Sequence, residues 1–558
     1  INGGSITTSG AQTYNGAVTL GADTTLTGTT ITTKGTISGA YGLAISGDAV
    51  FGDGAADTIT LSGTNKALSV SGTTTINTDT VTTSGTQTYT GAVTLGADTT
   101  LTTTNNLVWF KSTVGNSAAK ALSISSGNGG ATFANTVGAT TALGAISLTT
   151  TGTTTFSNTV GAASLSSGTG TTAINGGSIT TSGAQTYNGA VTLGADTTLT
   201  GVNVNFTSTI KSSTTSRALT VNDSGTTTFG GIVGSATASE KLSSLTTDSA
   251  GTTAINTTAI TTTGAQTYND NVTLGADTTL TGTTITTKGT ISGAYGLAIS
   301  GDAVFGDGAA DTITLSGTNK ALSVSGTTTI NTDTVTTSGT QTYTGAVTLG
   351  ADTTLTTTNN LVWFKSTVGN SAAKALSISS GNGGATFANT VGATTALGAI
   401  SLTTTGTTTF SNTVGAASLS SGTGTTAING GSITTSGAQT YNGAVTLGAD
   451  TTLTASSITT GSTIAAGANS LTLITDGLAL GGNVNGGAGT LTIKPKTAAT
   501  TIGLGSGGNA SGATLQLDDT ELGYINVASN YFAAIVIGDA SAGTGTLKYD
   551  TGTDQHLN

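Results

Sequence analysis

Apolar and polar residues alternate along most of this chain in short bursts, such as TLTGTTITT from Thr25, LAISGD from Leu43, ALSVSG from Ala67 and SLTLIT from Ser470. A period of two puts one side chain inward and the next outward, which is the pattern of a half-buried strand. The bursts end on Gly, Asn or Asp, residues that accept the positive φ angles of tight turns. No stretch of helical period separates them, so strand–helix–strand crossovers are excluded. The predicted elements are short strands and turns throughout.

The strands repeat. An aromatic residue followed four positions later by valine occurs at Tyr14/Val18, Tyr89/Val93, Phe133/Val137, Phe156/Val160, Tyr187/Val191 and Phe229/Val233. It returns at Tyr268/Val272, Tyr343/Val347, Phe387/Val391, Phe410/Val414 and Tyr441/Val445. The tyrosines sit in the phrase Q-T-Y-x-x-x-V-T-L-G-A-D-T-T-L. On a larger scale, residues 18–200 recur unchanged as 272–454, a stretch of 183 residues offset by 254. This divides the chain into tandem repeats over 1–454, with a unit 18–271 and a second partial copy 272–454. Divergent coils of the same kind are expected over 455–558. Because Ile1 stands in mid-repeat, the chain reads as a piece of something longer.

Short strands, frequent turns and a repeat of about 20–25 residues predict an all-β fold, a right-handed parallel β-helix or β-solenoid. At about 22 residues per coil and about 4.8 Å between coils, roughly 25 coils would span on the order of 120 Å. Val, Ile, Leu and Ala should fill the interior with the repeat aromatics, and threonines should form outward ladders. Corner asparagines such as Asn2, Asn175 and Asn429 are expected to stack on one another. Tyr and Phe share one position, so the hydroxyl reads as optional. Tandem β-sandwich repeats are the alternative, supported by tyrosine spacings of 75, 81 and 98 residues. The 23-residue step from Phe133 to Phe156 argues against them.

Composition narrows the function. Only 7% of residues are charged and the net charge is −11, with no Lys/Arg cluster, which argues against a nucleic-acid partner. No apolar run of about 20 residues is present, so no membrane-spanning helix is expected. The absence of cysteine excludes disulfides and thiolate metal sites. The single proline, Pro495, fits strands whose every N–H is needed between coils.

Candidate chemistry is sparse. The lone histidine, His556, lies near the chain end, and Asp518, Asp519 and Glu521 read as a solvated turn. Neither catalysis nor a cofactor is expected. Asp53 and Asp57, with their copies Asp307 and Asp311, sit in FGDGAADTITL, faintly like a calcium-binding nonapeptide. Side chains that accept backbone N–H groups within a turn are the preferred reading. The GADTT aspartates (Asp23, Asp98, Asp196, Asp277, Asp352 and Asp450) are read the same way. In NNLVWFKS the run Leu107–Phe110 is unbroken and apolar, so at least one large side chain should face outward. Trp109, Phe110, Trp363 and Phe364 are therefore the candidate lateral interface.

The phrases TTSGAQTYNGAVTLGADTTLTG, VFGDGAADTITLSG (from Val50 and Val304) and LQLDDTELGYINVASNYFAAIVIGDASAGTGTLKYD (Leu515–Asp550) resemble giant bacterial surface proteins of the filamentous-haemagglutinin type. The resemblance covers essentially the whole chain. It implies a secreted, extracellular or cell-surface β-helix that acts as an adhesin, matrix fibre or stalk. That family's secretion domain and anchor are not seen here. The expectation is a structural segment that self-associates into a filament. The alternative is a module that binds surface glycans through outward Thr, Asn and aromatic ladders.

Overall fold

The computed structural model describes residues 1–507, 512–525, 531–539 and 543–549. The chain is all-β, 3% helical, and its parallel sheets stack as a β-solenoid of about 24 turns. Parallel coils exclude the sandwich alternative. Two compact units, Ile1–Thr283 and Thr284–Asn558, divide the chain. The division falls inside the second copy of the long repeat.

In the first unit a coil consists of three short strands joined by corners, for example Thr80–Thr83, Gln87–Tyr89 and Val93–Leu95. Each strand pairs with its counterpart in the next coil: Val81 opposite Leu101, Tyr89 opposite Phe110, Val93 opposite Val114. The alternation in sequence becomes alternation in burial. Val81, Leu101 and Ile124 face inward, while Thr80 and Thr82 lie beside Thr100 and Thr102 in an outward ladder. Some threonines face inward as well, among them Thr83, Thr99, Thr154 and Thr172.

Coil length is not constant. One step takes Thr154 to Thr172 and another takes Val233 to Ile260, 18 and 27 residues apart. Surplus residues are absorbed at corners, as in the 3-10 turns Gly127–Gly129 and Ala238–Glu240. Unequal coils also let the repeated phrase move between faces. Gln87 belongs to the column Val108–Ala131, whereas Gln185 continues the column Leu122–Ile146–Leu165.

The second unit is built the same way, with Val335, Leu355, Ile378 and Leu402 in one inward column. Regular coils persist to Thr490–Lys494. Beyond this point the structure departs from the expectation of further coils over 455–558. Ile502–Leu504, Leu515–Leu517 and Leu547–Tyr549 form a separate parallel sheet, and Ala534–Ile537 pairs with Thr490–Lys494. A short helix, Asp519–Ile525, packs on the strands Gly477–Leu480 and Val484–Asn485. It forms because Asp518 Oδ1 accepts the N–H groups of Thr520 and Glu521, a side-chain N-cap. Leu522 and Ile525, one turn apart, are buried beneath it.

Candidate interaction surface

The repeated QTY phrase works inside the coil. Tyr89, Tyr187, Tyr268, Tyr343 and Tyr441 are fully buried, and each hydroxyl donates to Oε1 of the glutamine two residues earlier, at 2.8–3.1 Å. The glutamine amide is anchored in turn: Gln185 Nε2 donates to the carbonyls of Ile179 and of Thr200 in the next coil. Burial pushes the phenols of these tyrosines well above their ordinary pKa. In the first coil, Tyr14 makes the same bond to Gln12 but is only half-buried.

The hydroxyl is therefore not optional, contrary to the expectation from Tyr/Phe exchange. Tyrosine occurs in this motif where glutamine stands two residues before. Where that residue is Ala, Val or Thr, as at Ala131, Val108 and Thr154, the aromatic is Phe133, Phe110 or Phe156.

The aromatics stack along the interior. Tyr89, Phe110, Phe133 and Phe156 follow one another with ring centroids 5.2, 5.0 and 5.0 Å apart and planes within 16°. Tyr343, Phe364, Phe387 and Phe410 repeat the series, and Tyr187, Phe206 and Phe229 form a third. Val18, Val93, Val137, Val160 and Val191 are buried beside the aromatic positions. The inward reading of this repeat core holds.

Two corner devices join successive coils. Asn175 does not stack on another asparagine. Its Oδ1 occupies the space that a Cβ on Gly194 would need, and Asn2/Gly21, Asn256/Gly275 and Asn429/Gly448 do the same. The glycine of LGAD is thus dictated by the coil beneath it. The GADTT aspartates reach the other way. Asp98, Asp196, Asp352 and Asp450 accept the N–H of Ala121, Ala218, Ala375 and Ser470 in the following coil, at 2.8–3.0 Å. They clasp coils together instead of closing their own turns.

Asp57 Oδ2 accepts the N–H of Asp53, and Asp311 Oδ2 those of Asp307 and Gly308. These carboxylates serve the turn they stand in. Among the described residues no group of three or more His, Asp or Glu side chains converges as a metal ion would require. The acidic group near the end is not simply a solvated turn. Glu521 is half-buried and accepts the N–H groups of Leu480 and Asp518, and burial raises its pKa. His556 lies outside the described residues.

On the outer surface the NNLVWFKS segment splits. Phe110 and Phe364 are fully buried members of the ring stacks, which corrects their nomination as interface residues, because period-two alternation sends neighbours to opposite sides of the strand. Trp109 and Trp363 face outward, 36% and 37% exposed. Lys111 and Lys365 lie over their indole rings, with Nζ 4.2 Å from each centroid. Trp109 is flanked along its face by Thr88 and Thr132.

A second exposed feature lies at a corner of the first unit. Asp23 pairs with Lys66 at 2.9 Å, and the exposed Tyr41 ring lies 5.6 Å from the same ammonium. The N–H of Gly42, then Lys66, hold the Asp23 carboxyl below its ordinary pKa. A groove of about 320 Å³ opens here, lined by Asp23, Asn65, Lys66 and Ser69.

No protein-family model, curated protein or solved structure matches the chain. What it does must be read from its own geometry. Among the described residues no helix is long and apolar enough to cross a membrane. The Gln–Tyr partnership was visible in principle, since glutamine precedes every repeat tyrosine. The asparagine–glycine contact was not, because it depends on knowing which residues one coil places over another.

Proposed function

We propose that this chain is a structural segment of a secreted bacterial surface fibre or matrix filament of the filamentous-haemagglutinin type, a stiff solenoid that self-associates. The observation that carries this reading is the continuity of side-chain columns from coil to coil, above all the ring stack from Tyr89 to Phe156. Such columns turn sequence length into a rigid scaffold and leave the outer faces free for contacts. Electron microscopy of the purified chain across a concentration series, with X-ray diffraction from aligned samples, tests it. The expected result is filaments with a meridional reflection near 4.8 Å, the coil spacing. Compact monodisperse particles at every concentration would overturn it.

A second reading, a glycan-binding adhesin module, is favoured by the groove beside Tyr41. Its lining supplies a carboxylate, an amide and an ammonium, and the exposed ring stands 5.6 Å from that ammonium; these are group types that hydrogen-bond to and stack on sugars. Retention of the wild-type chain on a glycan array, lost in Tyr41→Ala, would support it.

A further inference from the structure

A sheet edge in a folded chain is paired, covered or blunted by charge, because its free N–H and C=O groups otherwise invite another strand. Two strands near the end of the regular coils differ in this respect. On Gly477–Leu480 the N–H of Leu480 donates to Glu521 Oε1 at 2.9 Å, and Leu522 and Ile525 of the short helix are buried. Ala534–Ile537 has no such cover. One side of it pairs with Thr490–Lys494, Leu491 opposite Ile535 and Ile493 opposite Ile537. Among the described residues no strand pairs with its other side. The N–H of Gly538 donates to the Ile493 carbonyl. Alternation along the strand therefore turns the N–H and C=O groups of Ile535 and Ile537 away from the coil below.

Nothing blunts this edge. Residues 533–537, AAIVI, carry no charge and no proline. Val536 is 46% exposed. Ile537 continues the inward column Leu453–Leu473–Ile493. Those three residues are fully buried, yet Ile537 and its neighbour Ile535 are only half-buried. The core column thus arrives at this strand without the covering residue that every lower coil receives from the next. Beside the strand lies a cleft of about 290 Å³ whose lining includes Ile502, Val536, Ile537 and Leu547, and Leu547 is 52% exposed.

We propose that Ala534–Ile537 is a docking edge whose occupant is the same strand of a second copy of this chain, paired antiparallel across a two-fold axis. The inference rests on the self-association proposed above and names one of its contacts. Free backbone groups in a row call for extended backbone as their partner. A strand can answer only if one of its own sides is unpaired. Strands of the regular coils, such as Thr80–Thr83, are paired on both sides, whereas Ala534–Ile537 offers what it needs. With Val536 opposite Val536 of the second copy, Ile535 lies opposite Ile537, and each such pair exchanges two hydrogen bonds. Four bonds form, and one patch serves both partners, as a closed two-fold contact requires. Each copy carries a net charge of −11, but residues 533–537 contribute none of it, so the pairing sets no like charges face to face. Lengthening of a fibre then uses contacts elsewhere on the chain.

Amide hydrogen exchange of the full-length chain, read beside sedimentation velocity over a concentration series, tests the pairing. Exchange over residues 533–538 should slow at least tenfold as a dimer forms, while Thr490–Lys494 stays protected at every concentration. Val536→Lys changes only an exposed side chain. Ile535→Pro removes one of the free N–H groups at an edge, where proline is tolerated. Each should weaken dimerisation at least tenfold and leave exchange over Thr490–Lys494 unchanged. Association undiminished in both variants would overturn the strand pairing and leave the self-association reading standing. A wild-type chain that stays monomeric throughout would overturn both. Protection of residues 533–538 already complete at the lowest concentration would also overturn the inference, because the edge would then be covered within one chain.

Discussion

Replacing Tyr187 by phenylalanine removes one oxygen from the interior and strands another. Gln185 Oε1 receives the Tyr187 hydroxyl at 2.8 Å inside a fully buried site. Leaving a buried acceptor unsatisfied costs about 1–3 kcal/mol. Gln185→Ala is worse. It leaves the phenol without an acceptor, removes the amide from the carbonyls of Ile179 and Thr200, and opens a cavity, for a loss of about 3–5 kcal/mol. The double variant recreates the pattern of Ala131 and Phe133, two coils' worth of which already stack well. Its orphaned groups are fewer, so it should cost about 1–3 kcal/mol less than the sum of the single changes. Global unfolding is a poor readout for a repeat stack, whose stability is distributed over neighbours. Amide hydrogen exchange over Ser178–Thr181 and Thr197–Gly201 reads the local loss. The equivalent coil at Gln87–Tyr89 serves as an internal reference. A neutral Tyr187→Phe, or strictly additive effects in the double variant, would refute the claim that the hydroxyl is part of the motif.

Three further outcomes follow from the same geometry. Gly194→Ala should sharply reduce local protection in exchange experiments, because Asn175 Oδ1 already fills the space of the new Cβ; Asn175→Gly in the same chain should restore most of the loss. Thr172 Oγ1 is buried with no hydrogen-bond partner, so Thr172→Val, of nearly the same shape, should stabilise its coil by about 1 kcal/mol, measurable by the same exchange. Asp270 is buried beneath the hydroxyls of Thr247 and Thr253, and desolvation raises its pKa, with Asp248 adding to the rise. A carboxyl whose folded pKa exceeds its unfolded one favours the fold most when protonated. Stability around Thr252–Ile255 should therefore be greatest at acid pH below about 4, and fall as pH rises through the raised value. Asp270→Asn should flatten that dependence in urea titrations, and a rise in stability over the same window would contradict it.

Much of this architecture was legible because period-two alternation records which side of a strand each residue takes. It placed the repeat aromatics and valines inside, and it required an outward residue in Leu107–Phe110, which is Trp109. It could not by itself say that Phe110 turns inward until the strand's phase was fixed. The corner devices were hidden for a different reason. Asn175 and Gly194 are 19 residues apart, and their contact follows from a coil length that varies with each corner. The helix Asp519–Ile525 escaped because its seven residues are too few to show a period, and its two apolar anchors acquire meaning only from the coil surface on which they rest.

The hydrogen bonds between regular coils point along the stacking direction, since their strands pair with the strands a storey above them. Tension applied through the ends of the chain would load those bonds a coil at a time, like lifting turns from a wound thread. Each coil released would yield about 20 residues of slack, or roughly 70 Å. Such a stack would yield by many small extensions and not by one rupture.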